Sequence, residues 1–252
     1  MMPHELVFVT VLLVLSVIAW LTVHRLATPD MRAGILTGHS GMAMDPMSGG
    51  LFLGIWLVMM AAMMLPAITP VMVRIDRLMR RRGKGGTTAY ALAAGYLVVW
   101  AVAGTAAYGL FLAFQRTASA ADDTTAARIG AVVLLLAGVY QFTLLKRACL
   151  RQCRSPLAVL VRHGQKIMAS RTGALWVGLH HGAFCVGCCW ALMAVLLAAG
   201  MMSLVWMGAV ATVVLTEKVF RYGELFSRLL GAAMIALALT LVAAPGVASA
   251  LT

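Results

Sequence analysis

Charge is what this sequence has least of. Eight Asp and Glu and 20 Lys and Arg are spread over 252 residues, 11% of the chain, where a soluble domain carries about 25%. That scarcity excludes a soluble globule, which would have no polar surface to wrap around a chain that is 62% apolar. It excludes disorder for the same reason. No hydrophilic stretch longer than about 30 residues can be drawn, so no soluble domain is expected. An ATP-binding motif is also missing, which argues against active pumping by this chain alone. Met1-Met2-Pro3-His4-Glu5 has neither Lys nor Arg, so the first apolar run reads as a retained helix and not as a cleavable signal. The solvent for most of the chain is therefore expected to be lipid.

The charges that do occur are lopsided, giving a net +12. Thirteen of the 20 basic residues fall within 74–84 and 146–171, as cytoplasmic loops do under the positive-inside rule. The excess thus reads as a topology signal, and nucleic acid is not expected as a partner. The stretch Arg74 to Gly86 also suits anionic headgroups, with topological anchoring the simpler role.

A membrane-crossing helix needs about 20 apolar residues. Seven segments approach that length: 5–24, 51–73, 89–114, 128–145, 174–200, 203–217 and 229–248. The expected fold is an all-α polytopic transmembrane bundle of about seven helices, or six if the short segment 203–217 is re-entrant. Alternation puts the N-terminus inside, 25–50 outside and the C-terminus outside, in a bacterial inner membrane. Residues 1–48 form one unit, a helix plus an outer loop; residues 49–252 form the bundle proper. Small residues at Gly95, Ala103 and Ala107, and at Gly231, Ala232 and Ala236, are expected to allow close helix packing.

Against this background the soft ligands stand out. In the fifth segment, His181, Cys185 and Cys188 fall within about 60° of one another on a helix. Cys189 follows on the same half and Met193 one turn later. Free Cys often packs as a small apolar residue, but three Cys and two His within ten residues, from totals of five and six, suggest half of a soft-metal site. Such ligands suit Cu(I) or zinc. A Cys185–Cys188 disulfide is a weaker option on continuous helix.

The second segment carries Met59, Met60, Met63 and Met64 ahead of Pro66. Pro66 is expected to kink the helix and free the carbonyl near Ala62. Counted from opposite faces, Met60 and Cys185 lie about 15 and 16 Å deep, which would let both motifs meet near mid-membrane. The outer loop holds His39, Met42, Met44 and Met47, suited to capturing Cu(I). On the inner side Cys149 and Cys153 are one turn apart among Lys and Arg, with His163 the nearest further ligand; relay thiols and plain interfacial residues both fit. Glu217-Lys218 reads as a local charge pair at the inner interface.

Three ordered strings carry a resemblance: Trp56…Met59…Ala62-Met63-Met64…Pro66…Pro70; Gly138-Val-Tyr140-Gln141…Lys146…Cys149…Cys153-Arg154…Pro156; and Gly178…Gly182…Cys185…Gly187-Cys188-Cys189-Trp190…Leu192-Met193. Over about residues 50–220 the chain resembles the bacterial predicted metal-binding integral membrane proteins, domain of unknown function 2182. The resemblance implies a polytopic fold and a metal site on the matching Met and Cys positions, and no reaction.

The function expected is soft-metal binding, most plausibly of Cu(I), for handling, delivery or transport. The lipid bilayer, the metal ion and a periplasmic or membrane metal-handling protein are the expected partners. A metal-dependent or thiol-based membrane oxidoreductase is one alternative. A scaffold in which Cys and Met only pack is the other.

Overall fold

With lipid around it, a chain must satisfy its backbone groups within its own segments, and helices do so. The computed structural model describes residues 3–26, 48–81, 83, 87–118, 123–155, 163–165, 167, 170–200 and 203–243, with no strand among them. Its principal helices are α1 (Pro3–Leu26), α2 (Gly49–Arg81), α3 (Thr87–Ala118), α4 (Asp123–Tyr140), α5 (Leu144–Arg154), α6 (Arg171–Ala199), α7 (Leu204–Val219) and α8 (Gly223–Ala243). The loop with His39, Met42, Met44 and Met47 lies outside the described residues.

Five helices are long and apolar enough to cross a membrane: α1, α2, α3, α6 and α8. A sixth span arises if α4 and α5 count together, although they are bent by 66° at Gln141–Thr143. The all-α polytopic bundle is therefore the architecture. Its count is five or six, and α7 is the segment that falls short. Its 16 residues make about 24 Å of helix, less than the roughly 30 Å of a bilayer core.

Burial follows helical periodicity. On α1 the buried positions are Leu12, Ser16, Ala19 and Val23, one stripe laid on α2, while Leu13, Leu15, Val17 and Ile18 face outward. Pro66 lacks the N–H that would bond to the Ala62 carbonyl. That carbonyl accepts instead from the Ser16 hydroxyl of α1 at 2.7 Å, and α2 stays helical through Pro66 and Pro70. One polar residue in an apolar helix thus repairs the proline's missing bond and fixes the α1–α2 register.

Glycine sets the other close crossings. A Cβ on Gly95 would lie 2.2 Å from the Leu175 carbonyl oxygen, and one on Gly178 2.1 Å from that of Leu92. The backbones of α3 and α6 therefore touch, as small residues permit. Gly138 and Gly231 do the same for α4 and α8, where a Cβ on either meets the other's carbonyl at 2.9 Å. The buried stripe on α8 runs Ser227, Gly231, Met234, Ala238 and Leu241. Ala232 and Ala236, expected on that stripe, are exposed.

Gly178→Ala is expected to force α3 from α6 and to lower stability by about 1–3 kcal/mol, read as a lower thermal midpoint in detergent. Gly54→Ala, where no atom lies within 4 Å of the new carbon, should leave the midpoint in place.

Candidate metal centre

The short helix α5 begins at Thr143, whose side chain caps it by accepting from the Lys146 N–H. Its buried face is Lys146, Cys149, Leu150 and Cys153, and that face packs on α6. Three of the basic residues beside Cys149 and Cys153 are committed elsewhere. Lys146 donates to both carboxylate oxygens of Glu217 at 2.8 and 2.9 Å, a fully buried pair. Arg151 pairs with Glu224 at 2.7 Å, and Arg154 donates to the carbonyls of Phe220 and Arg221.

On α6 the sequence motif resolves into separate roles. The sulfurs of Cys153, Cys185 and Cys188 all lie within 4.8 Å of one another, and all three residues are buried. Cys188 and Cys153 are 3.8 Å apart. Three thiolates about 2.3 Å from one ion in a flat trigonal set stand about 4.0 Å from each other, so this spacing suits a single soft ion. The five cysteines are all free. Cys189 turns its thiol back to the Cys185 carbonyl at 2.9 Å, as Cys188 does at 3.1 Å. Cys149 packs into the notch left by Gly187, where an added Cβ would lie 2.7 Å from its sulfur. Among the described residues no His, Asp or Glu belongs to the three-sulfur group.

The two histidines of the motif diverge. His181 is buried one turn before Cys185, and its Nδ1 has no hydrogen-bond partner. His180 stacks on Trp176 at 5.3 Å and meets His163 and Phe184 edge-on at 4.8 Å. His163 thus belongs to an aromatic group and not to the sulfurs.

Met59, Met60, Met63 and Met64 are all buried in the core. Met64 is linked to Cys185 through Lys218, whose Nζ lies 3.8 Å from the Met64 sulfur and 3.0 Å from that of Cys185. The Met and Cys motifs thus meet across an ammonium, their sulfurs no further apart than the sum of those two lengths. Met193 lines an apolar cavity of about 330 Å³ with Trp56, Trp100 and Trp190.

Two residues at the site were not singled out by sequence. Tyr96 of α3 contacts the Cys185 sulfur through its hydroxyl at 3.0 Å; a buried Tyr needs such a partner. Lys218 reads as the local partner of Glu217, but adjacent helical residues point 100° apart. Glu217 reaches across to α5 while Lys218 reaches α6. That angular offset was the available signal.

Over residues 53–241, most of the chain, the sequence matches the family model of the PpoB2 copper chaperones. The chain belongs to that family. The match takes in all five cysteines and Met59 to Met64, and leaves out α1 and the outer His/Met loop. It upholds membership of a metal-handling family. No curated protein and no solved structure matches the chain.

Removing one partner of the buried ion pair strands the other. Lys146→Ala is expected to cost about 3–5 kcal/mol, while Lys146→Met combined with Glu217→Leu recovers most of it; thermal unfolding of the single and double variants in detergent measures both.

Proposed function

We propose that this chain is a membrane-embedded Cu(I) carrier whose main site is the sulfur triad of Cys153, Cys185 and Cys188. The observation that carries this reading is the convergence of three buried sulfurs from two helices within 4.8 Å. Thiolate ligands select soft ions such as Cu(I). Structural zinc takes four ligands, and among the described residues no imidazole or carboxylate supplies the fourth. Membership of a copper chaperone family agrees with this choice.

The other sulfurs and imidazoles serve as the approach. His39, Met42, Met44 and Met47 capture the ion on the outer side. The Met59–Met64 stripe, with His181, passes it inward as thioethers and imidazole exchange for thiolates. Cys149 and Cys189, which pack beside the triad, are secondary. The membrane is the bacterial inner membrane, with the N-terminus inside. The basic end formed by Arg147, Arg151, Arg154, Arg221 and Arg228 then faces the cytoplasm, and the ion is released there to a metal-handling partner.

Detergent-purified protein loaded anaerobically with Cu(I) and analysed for metal tests this. Cys153→Ser and Cys188→Ser are each expected to lower bound copper to below about a tenth of the native content, as loss of a direct ligand should at least match the 10–100-fold effects of outer-shell changes. Cys149→Ser is expected to retain it. Equal copper in native and Cys153→Ser protein would sink the triad.

A further inference from the structure

Lys218 is the second-last residue of α7, followed by the exposed Phe220, Arg221 and Tyr222. A lysine so placed ordinarily extends its ammonium to the polar end. This one turns inward. Among the described residues its ammonium meets two sulfurs, Cys185 at 3.0 Å and Met64 at 3.8 Å, and sulfur is a weak hydrogen-bond acceptor. Its neighbour Glu217 is taken by Lys146, and among the described residues no carboxylate pairs with Lys218. A monovalent cation therefore sits between a thioether and a cysteine sulfur, held by those sulfurs.

A second observation points to the same place. His181 lies one turn before Cys185 on the same face of α6, buried, with Nδ1 unpaired. Its ring is 6.3 Å from that of Tyr96, whose hydroxyl meets the Cys185 sulfur. A buried imidazole nitrogen without a partner is costly, and imidazole is itself a ligand for copper. Thioether, thiol sulfur and imidazole are the soft donor set of a Cu(I) ion.

We propose that the space between Met64 and Cys185 is a second soft-cation position, held in this structure by the Lys218 ammonium, and that Cu(I) reaches the sulfur triad by displacing it. This rests on the triad being the main site. Cys185 belongs to both positions, so an ion bound to it and Met64 passes to Cys153 and Cys188 while keeping one sulfur throughout. The step is ligand exchange: one Cu–S(Met) bond breaks, Cu–S bonds to Cys153 and Cys188 form, each thiol that binds as thiolate releases its proton to solvent, and copper stays Cu(I). At the Met64–Cys185 position one positive charge comes in and one swings out towards the exposed end of α7, so entry leaves the charge there unchanged before the triad thiols lose their protons. A divalent ion would leave an additional buried charge, which is costly.

Anaerobic titration of the full chain in detergent with Cu(I), buffered by a chromophoric chelator, tests the proposal. The native chain is expected to hold one ion and Lys218→Gln two, with the second lost again when Met64→Leu is added. Lys218→Arg should behave as native. Cys153→Ser separates the two claims: it empties the native chain but leaves one ion in the Lys218→Gln chain. A folded Lys218→Gln protein holding no more copper than native overturns the second position whatever the triad does. Should that variant not be recoverable, the rate at which the native chain passes Cu(I) to the chelator decides. Met64→Leu is expected to slow it by about tenfold, and an unchanged rate overturns the proposal.

Discussion

The bidentate Lys146–Glu217 contact is the joint on which the cysteine cluster depends. It is buried and joins the two shortest principal helices, α5 and α7. Neither helix is long enough to be oriented by crossing a bilayer on its own. The ion pair supplies what length does not. With Lys146 fixed, the same face of α5 turns Cys149 and Cys153 against α6. With Glu217 fixed, the next residue of α7 points its ammonium at Cys185. A buried ion pair is seldom a net source of stability; here its consequence is orientation, because two helices and the sulfur group between them share one register.

Around that joint the bundle is held by contacts suited to an apolar solvent. Between lipid-facing helices the hydrophobic effect offers little, so close packing and internal hydrogen bonds hold them together. Gly95 against Leu175 and Gly178 against Leu92 bring the backbones of α3 and α6 together. Ser16 on the Ala62 carbonyl binds α1 to α2 where Pro66 leaves a bond unmade. Trp56 donates its indole N–H to the Trp100 carbonyl at 3.0 Å, joining α2 to α3. These crossings hold α6 while α5 and α7 approach it, which fixes the sulfurs of the cysteine cluster in place.

Much of the fold was legible in the sequence because lipid imposes one dominant signal, the long apolar run. The apolar runs matched to α1, α2, α3, α6 and α8 announce themselves in that way. The bend between α4 and α5 did not, since Gln141-Phe142-Thr143 contains neither Gly nor Pro. Segment 203–217, expected as a seventh span or as a re-entrant piece, forms the 16-residue α7, which is short for a span. On α6 the spacing of His181, Cys185 and Cys188 correctly placed them on one face. Spacing within a helix says nothing about what faces it across the bundle. That Cys153 completes a three-sulfur group while Cys149 fills a glycine notch depends on the 66° bend that turns α5 onto α6.

The sequence by itself determined the class of this protein and the kind of chemistry open to it. Few charges and long apolar runs demand a helical bundle in lipid, and clustered Cys, Met and His are soft ligands whatever surrounds them. Only the tertiary structure decided which of those ligands converge and that Lys218 stands among them. The reason is geometric. Helical periodicity orders residues along one element, whereas a metal ion is bound by donors from several, and their meeting point is set by crossings and bends between helices.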